Sequence, residues 1–134
     1  MKEHLILFST PMVAAILDGR KTQTRRIVKP QPNYIQTLTD GRFEISADGG
    51  FDQDVKYINC PYGVPGDRLW VRETWRLFGD GDLFFKADFS QNTIPIHADD
   101  EPKDWRWQPS IFMPRWASRI TLEVVSVRVE QLQD

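Results

Sequence analysis

The chain has 134 residues, 40 % hydrophobic and 27 % charged, with a formal charge of −2 at pH 7. That is enough apolar chain to close a single core, and it excludes a disordered protein; the slight acidity excludes a general polyanion binder, so a nucleic-acid partner requires a local basic patch. Cys60 is the single cysteine, and His4 and His97 lie far apart with no cysteine beside them, which excludes an internal disulfide and argues against a metal site or cofactor.

Taken in order, Met1 to Phe8 lacks an apolar run long enough for a signal peptide or a membrane span, so a cytoplasmic protein with no membrane partner is expected. Leu5 to Phe8 reads as a strand buried on both faces. Ser9 or Thr10 can cap a helix with Pro11 at its start, and Met12, Val13, Ile16 and Leu17 fall at helical spacing. Gly19 is placed for a left-handed C-cap. The helix delivers Gly19-Arg20-Lys21-Thr22-Gln23-Thr24-Arg25-Arg26, which opens a stretch free of acid until Asp40.

Pro30, Pro32 and Asn33 break the chain after Lys29. Residues 34–59 read as an irregular excursion, at most a loose hairpin around Phe43-Glu44-Ile45. Pro61 to Asp67 is a turn-rich connection into the clearest strand, Arg68 to Trp75. There Leu69, Val71, Glu73 and Trp75 share one face, and Trp70, Arg72 and Thr74 the other. Leu83 to Ala87 reads as the next strand, after the turn Gly79 to Asp82. Asp88 to Asp104 reads as a solvated acidic loop, and Trp105 to Pro114 as an irregular segment pinned by aromatics. Arg119 to Leu132 is the last strand, with a parity slip after Val124 that looks like a β-bulge. The expectation is one domain over residues 1–134, mainly β with some α, folded as a small, partly open barrel.

Three groups of residues can carry chemistry. Cations just past a helix C-terminus gain about 0.3–1 kcal/mol from the helix dipole, which explains one or two of the five charges at Arg20, Lys21, Arg25, Arg26 and Lys29. A partly desolvated lysine can instead act as a base, with a neighbouring threonine as nucleophile. Glu73, if it faces inward, needs a cation, and Lys21 or an arginine of the basic turn is the natural partner; its bland role is a structural ion pair. If Trp70 is the buried residue, Glu73 faces out. Arg72, Arg115, Trp116 and Arg119 interleave guanidinium and indole groups, which can bind nucleotides or simply anchor a loop.

Gly19-x-Lys21-x-x-Thr24-x-Arg26 resembles the signature of the ASCH domain family, Gly-x-Lys-x-x-Glu-x-Arg. Pro65-Gly66-Asp67-Arg68-Leu69-Trp70-Val71-Arg72-Glu73-Thr74-Trp75 extends the resemblance over most of the chain. Met113-Pro114-Arg115-Trp116-Ala117-Ser118-Arg119 is similar to a feature of the phage and prophage branch. The resemblance implies a PUA-like small β-barrel with one or two short helices. Thr24 stands where the general signature has Glu. In this the chain is similar to small hydrolytic ASCH proteins with Gly-x-Lys-Thr-x-Thr-x-Arg, which resemble amidohydrolases acting on N4-acylated cytidines. Carried over by motif, Lys21 and Thr24 belong to a catalytic set completed by a later glutamate.

Longer relatives that this chain resembles continue into an acidic helix and a closing strand. The fold is therefore expected to lack its C-terminal strand and to offer an open edge for a homodimer. In the hydrolytic subset the glutamate lies on that later helix, so Glu73 is the candidate carboxylate here on its strand position alone. The expected partner is RNA or a modified nucleoside, bound by Arg20, Thr22, Arg25, Arg26, Trp70, Arg72, Trp75, Arg115 and Trp116. Hydrolysis of an exocyclic amide would use Lys21, Thr24 and Glu73. The alternatives are a non-catalytic RNA-binding or regulatory module, a ribonuclease of phage origin, or a defective fragment.

Overall fold

Helix α1 (Thr10–Leu17) forms where the apolar spacing puts it, and both of its ends follow from sequence. Ser9 is the N-cap, its hydroxyl accepting from the Met12 N–H, and Pro11 lies in the first turn, where no intrahelical N–H is needed. Asp18 caps the other end and Gly19 follows at φ 75°. The Gly19 N–H donates to Ile16 O at 3.0 Å and the Arg20 N–H to Ala15 O at 2.8 Å. That pair of bonds is a Schellman motif, and its left-handed residue is why glycine is needed here. The Lys21 N–H also reaches Ala15 O, at 3.2 Å, so the basic turn starts as a continuation of the helix's own hydrogen bonding.

The structure, a computed structural model, describes residues 1–28, 34–39, 42–46, 56–78, 81–89 and 106–130. It is mainly β with one α-helix. Strands β1 (Glu3–Leu7), β5 (Arg68–Arg72) and β8 (Thr121–Glu123) form one sheet with β5 central; β2 (Tyr34–Thr37), β3 (Phe43–Ser46) and β4 (Lys56–Ile58) form a second; β6 (Trp75–Phe78) and β7 (Asp82–Phe85) form a hairpin. Among the described residues these sheets are open and none closes into a barrel. The chain divides into two compact units: Met1–His4 with Thr24–Leu69 and Glu123–Asp134, and Leu5–Gln23 with Trp70–Leu122.

In the first unit, β3 pairs with β2 and β4 antiparallel, with Phe43 opposite both Thr37 and Ile58. The excursion expected at 34–59 is thus a three-stranded meander. Its strands are only three or four residues long, too short for alternation to register, although Phe43 and Ile45 are buried on one face. Asp67 is the hub of this unit. Its carboxylate accepts from the Lys2 N–H at 3.0 Å and the Val64 N–H at 3.2 Å, and contacts His4 Nε2 at 3.0 Å. Gly63, at φ 99°, passes so close that a Cβ there would meet Asp67 Oδ2 and the His4 ring at 2.8 Å. The Gly66 N–H donates to Val124 O at 2.8 Å and the Val124 N–H to Asp67 O at 2.9 Å.

These last bonds explain the end of β8. The ladder reaches the Pro65-Gly66 turn, where no partner strand has begun, so the strand expected to run to Leu132 stops at Glu123. Inward parity does shift, from Ile120, Leu122 and Val124 to Val127 and Val129, but outside any ladder; residues 131–134 lie outside the described residues.

In the second unit, Ile6, Phe8, Val13, Val71, Met113, Ala117 and Ile120 are buried, and Trp75, Met113 and Ala117 pack with Leu83 and Phe85. Leu5 and Leu7 are exposed, so β1 is not buried on both faces: it is an edge strand covered on one side. The strand expected over Arg68–Trp75 is interrupted at Glu73-Thr74, although burial alternates without a break from Leu69 to Trp75. β6 then pairs with β7, Trp75 opposite Phe85. A backbone bridge from Trp75 to Gln108 fixes the irregular segment, together with 3-10 turns at Ser110–Phe112 and Arg115–Ala117. Trp105 and residues 90–104 of the expected acidic loop lie outside the described residues.

The Asp67 hub gives a pH test. The His4 contact, then the Lys2 and Val64 N–H groups, outweigh partial burial and hold the carboxyl at about 2, against an ordinary 3.8. A carboxyl depressed in the folded state stabilises the fold above its unfolded pKa of about 3.9 and loses that contribution as pH falls toward the folded value. Asp67→Asn is expected to flatten the acid limb of a stability-versus-pH curve between about pH 4 and 2, read by urea unfolding. An unchanged limb would remove Asp67 as its source.

Candidate functional site

The basic turn does not act as one cluster. In the second unit, Arg20 is exposed and turned back to Asp18, Nη2 to Oδ2 at 3.0 Å, neutralising the helix C-cap. Lys21 is half-buried; its Nζ donates to Gln23 O at 2.6 Å and lies 5.7 Å from the Phe8 ring centroid. Arg20, Lys21, Thr22 and Gln23 line an open groove of about 450 Å³ together with Pro11, Met12 and Ala15. Its lining is therefore partly charged and polar and partly apolar.

Thr24, Arg25 and Arg26 belong to the first unit. The Thr24 hydroxyl is buried and without a hydrogen-bond partner. Arg25 lies 3.9 Å from Glu130, and the Arg26 guanidinium is 5.8 Å from the Tyr62 ring centroid.

Glu73 faces inward and is 1 % exposed. Its partner is Arg119, not Lys21 or an arginine of the basic turn. Arg119 Nε donates to Oε2 at 3.1 Å and Nη2 to Oε1 at 3.0 Å, a bidentate pair; Nη1 donates to both oxygens of Asp88 at 3.0 Å. The guanidinium also lies 4.2 Å from the Phe85 ring centroid. Burial works against the charge on Arg119, but the hydrogen bonds to Glu73 and Asp88 outweigh it and raise its pKa further. Asp88, read as part of a solvated loop, sits in a 3-10 turn at Lys86–Asp88 that packs on α1. Sequence offered one signal for this clasp, an inward carboxylate in need of a cation. Which cation depends on strand pairing: the Val71 N–H to Ile120 O bond brings Arg119 alongside Glu73.

The third group is assembled on the other parity of β5. Trp70 is half-buried, with the guanidinium of Arg72 4.9 Å and that of Arg115 5.6 Å from its ring centroid. Arg72 Nη1 donates to Ile111 O at 3.1 Å, while its Nε is buried without a partner. Trp116 is 65 % exposed and meets the buried Trp75 edge-on at 6.3 Å. Trp75 is therefore core support, with its indole N–H buried and unpartnered, and Trp116 is the ring open to solvent.

No family model, curated protein or solved structure matches the chain. Among the described residues, no group of three or more His, Cys, Asp or Glu is placed to hold a metal ion, and no helix is long and apolar enough to cross a membrane.

Removing the arginine tests the clasp. Arg119→Ala leaves Glu73 buried without its cation and is expected to cost about 3 kcal/mol, the low end for a broken buried pair because Arg119 is 26 % exposed. Urea unfolding reads the loss, and the double variant Glu73→Gln/Arg119→Met should recover part of it. Equal losses in the single and double variants would mean that packing, not charge, holds the clasp.

Proposed function

We propose that this protein binds RNA, taking a nucleoside unit in the groove at the end of α1, and that it is an ASCH-type domain of the PUA-like class. The observation that carries the reading is the make-up of that groove. It is open, with a volume of about 450 Å³; its apolar lining residues can take the face of a base, and Arg20, Lys21, Thr22 and Gln23 can meet phosphate and polar edges. The guanidiniums of Arg72 and Arg115 over Trp70 add charge and stacking surface within the same unit. The sequence resemblance of Gly19 to Arg26 supports the same class.

A hydrolytic version rests on the sequence resemblance; the Thr24 hydroxyl is unpartnered but buried, so it would have to be uncovered to meet a substrate. In that version the resemblance would give Thr24 Oγ the attack on the acyl carbon of an N4-acylcytidine and Lys21 the hydroxyl proton. The cytidine amine leaves with a proton from a carboxylic acid, and water then releases the acyl group from Thr24 as a free acid. Glu73 can serve only by giving up Arg119, which occupies both of its oxygens. Binding has no such requirement and is therefore the primary reading.

Titrating cytidine 5′-monophosphate and a fluorescein-labelled single-stranded RNA dodecamer tests both versions. Lys21→Ala should weaken both ligands and reduce the salt slope for the RNA by about 0.7, the contribution of one phosphate contact on a single strand. Binding by the native chain that is absent, or unchanged in Lys21→Ala, overturns the reading. Release of acetate from N4-acetylcytidine, lost in Thr24→Ala, would promote the hydrolytic version; no release by the native chain would dismiss it.

A further inference from the structure

The two 3-10 turns that flank Met113-Pro114 carry side chains the function above does not use. Ile111 is 56 % exposed, Phe112 66 % and Trp116 65 %, large apolar groups held in solvent within one short segment. The turns beneath them are fixed. Met113 is fully buried, the Ile111 carbonyl accepts from Arg72, the Phe112 N–H bonds Pro109 O at 3.1 Å and Trp116 abuts Trp75. Rings exposed on a fixed backbone lose little freedom on binding, which suits them to be contact surface.

The charge around them selects the partner. In a chain of net charge −2, the run from Arg106 to Leu122 contains no Asp or Glu and carries Arg106, Arg115 and Arg119. Arg119 is committed to Glu73 and Asp88; Arg115 is exposed in the same turn as Trp116 and shares the Trp70 ring with Arg72. A second copy of the chain is a poor occupant, because a two-fold contact would bring the same arginines face to face. A polyanion with flat rings suits both components: phosphates for the arginines, bases for Phe112 and Trp116. Duplex RNA hides its base faces and cannot use the rings.

Resting on the reading of the chain as an RNA binder, we infer that its ligand is single-stranded. Consecutive unpaired bases stack on Phe112 and Trp116, while Arg115 meets the backbone.

The test compares the labelled dodecamer, its duplex and cytidine 5′-monophosphate on the full chain, with Phe112→Ala, Phe112→Tyr and Trp116→Ala, each checked by its melting curve. The native chain should prefer the single strand to the duplex. Phe112→Ala should weaken the single strand at least about tenfold and leave the mononucleotide unaffected, and Phe112→Tyr should restore binding. Trp116→Ala should weaken the strand comparably; should it fail to fold, the Phe112 variants decide alone. Equal affinity for strand and duplex, or a single strand indifferent to Phe112→Ala, overturns the inference even where mononucleotide binding stands. A native chain that binds no ligand at all instead removes the underlying reading. Self-association on sedimentation that Phe112→Ala abolishes, or capture of a polyglutamate peptide in preference to RNA, would give the face to a protein partner and overturn it too.

Discussion

A carboxylate taken out of water needs a cation, and much of the Leu5–Gln23 and Trp70–Leu122 unit is arranged around how Glu73 meets that need. Arg119 grips it with two hydrogen bonds and uses its remaining nitrogen on Asp88. The clasp therefore ties three separate pieces of chain: the interruption between β5 and β6, the 3-10 turn that packs on α1, and the segment leading into β8. Ser118 reinforces the same join, its hydroxyl donating to Val71 O at 2.8 Å. Replacing such a group by well-packed apolar side chains is often energetically neutral, so its use lies in fixing which segments meet rather than in added stability.

With that frame set, the two parities of β5 divide the labour. The inward set, Leu69 and Val71 followed by Glu73 and Trp75, is core and clasp. The outward set, Trp70 and Arg72, presents rings and guanidiniums to solvent and to the 3-10 turns. The Arg72 bond to Ile111 O joins the strand to the irregular segment, so a loop without regular structure still carries a surface of defined shape.

Local signals in the sequence were legible where the chain's neighbours along the sequence decide the outcome. Ser9, Pro11 and Gly19 bracket α1 because capping is a matter of adjacent backbone groups. The alternation from Leu69 to Trp75 survives in burial even where the ladder lapses at Glu73. What failed to show was set at long range. The cation for Glu73 came from residue 119, not from the equally distant basic turn, because strand pairing chose it. The edge position of β1, which exposes Leu5 and Leu7, likewise depends on which strands lie beside it. The short strands β2 to β4 were missed for a different reason: three or four residues give a period of two too little room to appear. Of the candidate site, Lys21 and Thr22 do line a groove and Trp116 is open, whereas Trp75 was drawn into the core.

The Schellman turn at Gly19 has a consequence for how this chain tolerates change over evolutionary time. The backbone of Arg20 and Lys21 is bonded to Ala15, so this part of the groove lining takes its direction from α1. Inserting or deleting one residue within the helix would swing that lining by about 100° around the axis and shift it by about 1.5 Å. Side chains along the exposed face of α1 are free to drift, but its number of residues is not. Descendants that keep the groove should vary in the composition of this helix and hold its length constant.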